Sequence, residues 1–199
     1  MSSNYRTALI VGAGSGLSAS LARLFSKNGM KVALAARSTG KLGTPDVVVY
    51  NASFRTRGPF VDLDPAEVQK AIAVSAFGGF LVAQQAARRM LPKGEGAILF
   101  TGASASVKGY AQSVPFAMGK FALRGLAQAL ARELSPRGIH VAHFVIDGGI
   151  RSERRPPSPD KPDALLDPDA IAESYWHVLQ QPRSAWSWEI ELRPWVENF

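Results

Sequence analysis

The sequence predicts a single α/β domain, residues 1–199, with a doubly wound, Rossmann-type parallel sheet and helices on both faces. Short β-branched runs alternate with longer amphipathic or alanine-rich stretches, which is the element order of such a fold. The β-branched runs are almost continuously apolar, as expected of parallel strands that helices cover on both sides. A chain of 199 residues also has the size of one domain and can bury a substantial core.

The first strands and the first helix lie in the amino-terminal quarter of the chain. Thr7–Val11, Lys31–Ala36 and Asp46–Tyr50 are short β-branched or aliphatic runs, and each predicts a strand. Gly16–Asn28 lies between the first two runs and predicts a helix. The order of these elements is that of the first half of a doubly wound sheet.

The rest of the chain continues the alternation. Pro65–Leu91 predicts one long helix, with a proline at its first turn and Pro92 at its end. The remaining predicted elements are a strand at Ala97–Thr101, a helix at Pro115–Leu134, a strand at His140–Ile146, a helix at Pro168–Gln180 and a strand at Trp188–Leu192.

A glycine-rich turn, "VGAGSGLS", joins the first strand to the first helix. Gly14-x-Gly16-x-x-Ala19 satisfies the general dinucleotide-binding pattern. The strand ends at Val11, however, so Gly12 is the turn glycine, and Gly12-x-x-x-Gly16 is the better description. Such glycines let a pyrophosphate approach the positive end of the helix. The alternative is a strand–helix turn that binds nothing.

The residues after the second strand bear on the type of cofactor. An acidic residue there would bind the adenosine ribose of NAD, whereas an arginine would pair with the 2′-phosphate of NADP. The chain has Ala36-Arg37-Ser38 and no carboxylate nearby. We therefore predict NADP rather than NAD, with a solvated arginine as the alternative.

Five stretches in the order of one known family carry a resemblance that covers most of the chain. They are Gly12-x-x-x-Gly16, Tyr50-Asn51-Ala52-Ser53, Gly96–Ser104, Phe116-x-x-x-Lys120-Phe-Ala-Leu-Arg-Gly-Leu-Ala, and Arg132-Glu-Leu-Ser-Pro-Arg-Gly-Ile-His-Val. Together they resemble the short-chain dehydrogenase/reductase family. The resemblance implies a hydride transfer between a nicotinamide cofactor and a carbonyl or secondary alcohol. It also implies a homodimer or homotetramer and, with the absence of cysteine, a cytoplasmic protein.

The chain departs from this family at the catalytic positions. Phe116 replaces the family's tyrosine, and Ser75 stands where an asparagine is usual. Alignment puts Ala103 at the usual serine position, with Ser104 beside it. Lys120 alone is unchanged, and the resemblance assigns it to the nicotinamide ribose. The candidate catalytic positions are therefore Lys120, Ser104, Phe116 and Ser75.

The resemblance also implies a cofactor site and poses a problem of proton supply. The candidate cofactor-binding residues are Gly12, Ser15, Gly16, Leu17, Arg37, Asn51 and Lys120. A phenyl ring has no proton for the carbonyl oxygen, and the loss of a general acid costs about 10²–10⁴ in rate. Ser104 could polarise the carbonyl while a water relays a proton from Lys120, or Ser104 is an ordinary turn serine. Tyr110 is a weaker substitute.

The link between the second and third predicted strands is too short for this family. Eight residues separate Arg37 from Asp46, and they reach about 27 Å when fully extended. A parallel crossover normally needs a dozen or more residues. A third strand and its flanking helices, about 35–45 residues by mean element length, are therefore absent. Either they are deleted, or the sequence omits a mobile segment, which is the explanation we favour.

Other features add or exclude functions. The prolines and charges of residues 151–167 predict a substrate lid or a plain connector. Small residues on the two long helices indicate a dimer interface by resemblance, or close packing on the sheet. Gly102-Ala-Ser104-Ala-Ser106 lacks the last glycine of a hydrolase nucleophile elbow. The three histidines lack metal-ligand spacing, and no metal is predicted. His140 and His143, in or beside a strand, are expected to be structural.

The net charge of +7 has no basic run that would indicate nucleic-acid binding, so an anionic small ligand or solubility explains it as well. The amino-terminal apolar run is too short for a signal or membrane span. Two hypotheses remain. One is an NADP(H)-dependent oxidoreductase of the short-chain type. The other is a non-catalytic dinucleotide-binding or dimerising protein with the same scaffold.

Overall fold

The computed structural model describes residues 5–35 and 44–197 of the chain. A six-stranded sheet with every pairing parallel lies at its centre, in the order β2-β1-β3-β4-β5-β8. Its strands are β1 (Thr7–Val11), β2 (Lys31–Ala35), β3 (Val47–Tyr50), β4 (Gly96–Thr101), β5 (Ile139–Ile146) and β8 (Glu189–Leu192). The predicted doubly wound sheet is thereby confirmed. Strand bounds agree with the prediction within one residue where the structure describes them.

Helices cover both faces of the sheet. Helix α1 (Leu17–Lys27) and helix α5 (Pro168–Leu179) pack together on one face, over a core that includes Phe25, Phe144 and Tyr175. On the other face lie α2 (Pro65–Ile72), α3 (Gly78–Met90) and α4 (Val114–Leu134). Both cores are apolar, which explains why the strands between them read as unbroken apolar runs.

The helix predicted at Pro65–Leu91 differs from an ordinary α-helix in its middle. Residues Ala73–Phe77 form a π-helical turn between α2 and α3. The hydroxyl of Tyr50 donates a hydrogen bond to the carbonyl of Val74 in this turn. A Cβ atom on Gly78 would lie only 2.4 Å from the Tyr50 oxygen. The glycine is therefore required by a strand residue of the same chain, which favours packing on the sheet over contact with another helix at this position.

Residues 151–167 carry a small element that the sequence did not predict. Within the stretch from β5 to α5, β6 (Gly149–Ile150) pairs in parallel with β7 (Leu165–Leu166). An ion pair of 2.6 Å between Arg151 and Asp167 lies at the same place. The β6–β7 pairing and this ion pair thus hold the two ends of the proline-rich segment together.

The link between β2 and β3 is as short as the sequence indicates. Ala35 pairs with Val11, and Val47 pairs with Ala8, so the chain returns along β1 within eleven residues. The full sequence is continuous here, so the favoured explanation of an omitted mobile segment is wrong, and the chain itself is short. In residues 5–35 and 44–197, no strand pairs with the outer edge of β2.

Part of one sheet face is exposed beside β2 in the described residues 5–35 and 44–197. Leu34 pairs with Ile10, and paired residues of a parallel sheet point to the same face. Helix α1 and its neighbours bury Ile10 completely, whereas the side chain of Leu34 is 50% exposed.

We expect the substitutions Leu34→Thr and Ile10→Ala to lower the free energy of unfolding by different amounts, because Leu34 is half-exposed and Ile10 is buried. Ile10→Ala should lower the free energy of unfolding by about 2–5 kcal/mol, because it removes buried methyl groups. Leu34→Thr should change it by about 1 kcal/mol or less, as surface substitutions do. Urea denaturation at neutral pH measures both. Similar losses in the two variants would show that Leu34 is covered in solution.

Candidate active site at the carboxyl edge of the sheet

The segments that follow β1, β3, β4 and β5 meet at one edge of the sheet. Because parallel strands all end at the same edge, ligands of doubly wound folds bind there. Four predicted or neighbouring site residues lie in these segments: Gly12 after β1, Asn51 after β3, Ser104 after β4 and Asp147 after β5. Lys120 reaches the same edge from the second turn of α4.

The glycine-rich turn leaves the beginning of α1 accessible. Gly12 has a φ of +96°, and a Cβ atom there would lie 2.5 Å from the backbone nitrogen of Ala52. Gly12 is thus required by the loop after β3, and not only by a pyrophosphate as the sequence indicates. Cβ atoms on Gly14 and Gly16 would meet nothing within 4 Å. That open space lies at the positive end of a helix, where a phosphate group could bind.

Hydrogen bonds of Ser18 and Asn51 join the glycine-rich turn after β1 to the loop after β3. The Ser18 hydroxyl donates a 2.7 Å hydrogen bond to the carbonyl of Gly12, and the Asn51 amide donates a 2.8 Å bond to the Ser18 oxygen. Ser18 occupies the position where the family usually has a third glycine, and its role was not predicted. The role of Asn51 in binding the cofactor stays a prediction, and its amide nitrogen also fixes the shape of the loop.

The other predicted cofactor residues have different surroundings. Ser15 is exposed in the turn, whereas Leu17 is buried as the first residue of α1. Their backbone N–H groups belong to the amino-terminal region that a phosphate would approach. Arg37, on which the prediction of NADP rests, lies outside the described residues.

Phe116 and Lys120 share the buried face of α4, as their spacing predicts. They are 6% and 3% exposed. The Lys120 ammonium donates a 2.7 Å hydrogen bond to the carbonyl of Thr101 at the end of β4, and lies 5.9 Å from the centre of the Phe116 ring. Burial, with a smaller effect from the Arg55 charge, lowers the pKa of Lys120 to about 8. Lys120 can therefore release a proton near neutral pH.

Arg55 is a part of the site that sequence reasoning missed. It lies in the loop after β3, and its guanidinium carbon is 4.0 Å from the centre of the Phe116 ring. The ring thus has a guanidinium close to it and the Lys120 ammonium farther away. No local pattern marks this arginine, because the contact joins residues that are about sixty positions apart.

Ser75 is completely buried in the π-helical turn. Its hydroxyl lies 3.4 Å and 3.5 Å from the backbone nitrogen and oxygen of Phe54, which are long hydrogen bonds. A Cβ atom on Gly119 would lie 2.8 Å from the Cβ of Ser75. Ser75 therefore packs between the loop after β3 and α4, next to the residue that precedes Lys120.

Ser104 belongs to a row of polar groups that the sequence did not predict. It opens the turn Ser104–Ser106 after β4, and its hydroxyl lies close enough to the carboxyl of Asp147 to lower the pKa of that carboxyl. That carboxyl is 5% exposed and pairs at 2.8 Å with the ammonium of Lys108. Burial raises the pKa of Asp147, but the interactions with Lys108 and Ser104 outweigh it and leave the pKa below its usual value. Tyr110 is half-exposed in the loop ahead of α4, as expected.

A second polar row lies beneath the first and resembles a hydrolase triad. The Ser106 oxygen is 3.4 Å from His143 Nε2, and His143 Nδ1 is 3.0 Å from Glu189, which Arg124 holds by two bonds of 2.7 Å. Ser106 and His143 are completely buried, so no substrate can reach them. Burial, opposed by Glu189, lowers the pKa of His143 to about 4, and the ring is neutral at physiological pH. The row holds β5, β8 and the Ser104 turn together.

The glycine-rich turn and the lysine beside the end of β4 are features of a dinucleotide-binding α/β protein. A family model described as short chain dehydrogenase matches residues 38–161, more than half of the chain. The chain therefore belongs to the short-chain dehydrogenase family. The replacement of the family's tyrosine by Phe116 remains a prediction from the resemblance.

Individual relatives agree with this assignment. Short chain aldehyde dehydrogenase 1 of Euphorbia lathyris is 31% identical over 175 residues, which cover 68% of this chain and 61% of the relative. The chain thus spans about three fifths of that protein's length. A short-chain dehydrogenase structure from Rhodopseudomonas palustris is 30% identical, with a TM-score of 0.80 over 96% of this chain and 99% of the other. An alcohol dehydrogenase from Thermococcus sibiricus has the same fold at 21% identity and a TM-score of 0.83, covering 97% and 98%.

A longer alignment indicates a shortened chain. An uncharacterized oxidoreductase of Staphylococcus aureus is 25% identical over 228 positions, which cover 97% of that protein. These positions contain 95% of this chain, or about 189 of its 199 residues, so about 39 positions have no counterpart here. This number agrees with the 35–45 residues that mean element lengths give for one strand and two helices.

We expect the buried charge of Lys120 to make stability depend on pH. The pKa falls from 10.5 to about 8 on folding, so between these values the unfolded chain holds more protons and stability rises with pH. Relative to a Lys120→Met variant, the native protein should gain about 2 kcal/mol between about pH 7 and 9.5. Urea denaturation across this range measures the difference.

The matched control for this measurement is Lys70→Met, which removes an exposed lysine of α2. Its stability should follow the native profile. If the Lys120→Met variant also runs parallel to the native protein between these pH values, Lys120 is not buried as a charged group in solution.

Proposed function

We propose that the chain is an NADP(H)-dependent oxidoreductase of the short-chain type, which transfers hydride between the nicotinamide and a carbonyl or secondary alcohol. The observation that carries the proposal is the convergence of Lys120, Ser104 and the open glycine turn at one edge of the sheet. Family membership supports the same activity. The substrate is addressed below.

A nicotinamide cofactor fits the residues that are present. Gly14 and Gly16 leave room for a pyrophosphate at the start of α1, and Lys120 has two ammonium hydrogens beyond its bond to Thr101 with which to hold a ribose. NADP rather than NAD is supported by Arg37 in the sequence. Two solved structures of this fold hold NADP or 5-hydroxy-NADP, so the fold accommodates this class of cofactor.

The protein's own task in this reaction is to place the substrate oxygen and to move a proton. The bound cofactor supplies or accepts the hydride. The hydroxyl of Ser104 orients the substrate oxygen, and the nearby carboxyl of Asp147 orients that hydroxyl. With a pKa of about 8, Lys120 supplies the proton through a water in reduction, or takes it up in oxidation. Phe116 adds no proton, so turnover should be slow.

A non-catalytic dinucleotide-binding or dimerising protein is the second candidate. Phe116 and Ser75 favour it, because neither side chain can perform the chemistry of the residue that the family has at its position. The hydrogen bonds of Ser75 to the Phe54 backbone are those of a packing residue. Lys120 and Ser104 favour the enzyme.

We also propose that the chain associates with a second copy through α3 and α4, as a homodimer or homotetramer. The outer surface of these helices and of the π-helical turn before α3 is apolar, with exposed side chains at Phe77, Phe80, Leu81, Met118 and Phe121. The helical stretch 65–93 is long and apolar enough to cross a membrane by composition alone, yet it packs on the sheet, and only 28% of its apolar window is buried inside the chain. A second copy would cover the rest. A cytoplasmic location remains a prediction.

The substitution Phe116→Tyr tests the catalytic proposal. A phenol beside Lys120 restores a proton donor, so kcat/KM for carbonyl reduction should rise tenfold or more, within the range of about 10²–10⁴ for a general acid. The measurement is NADPH oxidation at 340 nm with a panel of aldehydes and ketones. Phe60→Tyr, which makes the same chemical change at an exposed position, should leave the rate unchanged. Tight NADPH binding without turnover in either the native protein or Phe116→Tyr would leave only the non-catalytic candidate.

The substitution Arg37→Asp tests the type of cofactor. It replaces a partner of the 2′-phosphate with a residue that repels it and accepts hydrogen bonds from a ribose, so the preference for NADPH over NADH should fall at least tenfold. Isothermal titration of both cofactors measures this preference. Arg137→Asp, at the opposite edge of the sheet, serves as the control for the change in charge. An Arg37→Asp variant that still prefers NADPH would contradict the assignment of NADP.

A further inference from the structure

One arginine contacts Phe116, and the charges of two other arginines act on it. Arg55 and Arg57 follow β3, and Arg155 comes from the segment between β6 and β7. The guanidinium of Arg155 reaches Gly149, where a Cβ atom would lie 2.7 Å from its Nη1. Burial, and then the charges of Arg57 and Arg155, lower the pKa of Arg55. Arg57 and Arg155 are thus each close enough to repel the positive charge of Arg55.

This cluster has no acidic partner within ion-pair distance in residues 5–35 and 44–197. Other arginines of the chain differ in this respect, since Arg23, Arg124 and Arg151 each pair with a carboxylate at 2.6–3.0 Å. The buried carboxyl closest to the catalytic serine, Asp147, pairs instead with Lys108. An excess of positive charge therefore faces the place where the substrate would bind.

Phe116 orients Arg55, the arginine that contacts its ring, for binding a ligand. A guanidinium that stacks on an aromatic face keeps the N–H groups at its edge free, and these match the two oxygens of a carboxylate. Cation–π attraction in such a contact favours one orientation of a long side chain. The phenyl ring of Phe116 has no proton to donate to a substrate, but it positions Arg55 for binding.

We propose that the substrate of this site is a carbonyl or hydroxy compound that carries a carboxylate, and that Arg55, with Arg155, binds that carboxylate. The inference rests on the proposed oxidoreductase function and names the substrate class for it. Arg57 adds positive charge at the rim. The overall charge of +7 favours the approach of anions to the same opening.

The test compares matched acids and methyl esters: 4-carboxybenzaldehyde, levulinate and acetoacetate, each with its ester. The carbonyl is the same within each pair, and only the charge differs. The native protein should show kcat/KM at least tenfold higher for at least one acid than for its ester. Arg55→Gln should remove this preference by lowering the value for the acid tenfold while changing that for the ester less than threefold. Arg23→Gln is the control for the loss of one positive charge.

A binding measurement keeps the proposal separate from the proposed activity. Isothermal titration of the acids and esters into protein saturated with NADP⁺ should show tighter binding of the acid, whether or not turnover occurs. Arg155→Gln, which leaves the contact between Arg55 and Phe116 intact, should weaken acid binding as well. Acid-selective binding without turnover would support the carboxylate site while contradicting the oxidoreductase.

Two results would overturn the carboxylate proposal. The first is an ester that binds and reacts as well as its acid in every pair, which would leave the oxidoreductase standing. The second is an Arg55→Gln variant whose NADPH affinity falls tenfold or more, because the arginines would then serve the phosphates of the cofactor. If no acid binds more tightly than its ester, the carboxylate proposal is likewise contradicted and the oxidoreductase proposal still stands.

Discussion

The hydrogen bond from the Lys120 ammonium to the Thr101 carbonyl is the interaction on which the site depends. It places a positive charge at the end of a central strand, under helix α4 and almost out of contact with water. Burial of an ammonium is costly unless its hydrogens are bonded. The carbonyl at the end of β4 satisfies one of these hydrogens, and the others are available to a ligand. The same burial lowers the pKa of Lys120 to about 8, which suits the acid–base role proposed for it.

Buried polar groups stabilise the segments at the carboxyl edge of the sheet. His143 is neutral because of its burial, and it joins the Ser104 turn to Glu189 on the outer strand β8. Asp147 then holds Ser104 from the end of β5. Groups on strands β5 and β8 thus hold the Ser104 turn in place.

Several parts of this arrangement were accessible from the sequence, and the reasons differ for those that were not. Strands such as β3 and β5 were predicted within one residue, because burial on both faces produces unbroken apolar runs. The common face of Phe116 and Lys120 follows from helical periodicity alone. Gly12 was recognised as the turn glycine, and its φ of +96° agrees, but its close approach to the backbone of Ala52 was not foreseen. The π-helical turn and the contact of Arg55 with Phe116 were not predictable, because each depends on a residue distant in sequence.

The shortened crossover has a consequence for how these molecules meet one another in concentrated solution. β2 is an edge strand in the described part of the chain, and an edge strand presents unpaired backbone groups to which a strand of another molecule can add. The half-exposed side chain of Leu34 would favour such an addition, because the added strand would bury apolar surface. Lys31, exposed at the start of the strand, is the kind of charge that discourages it. Lys31 is the one charged residue within β2 (Lys31–Ala35), so it is the feature of that strand that limits the addition of a strand from another molecule.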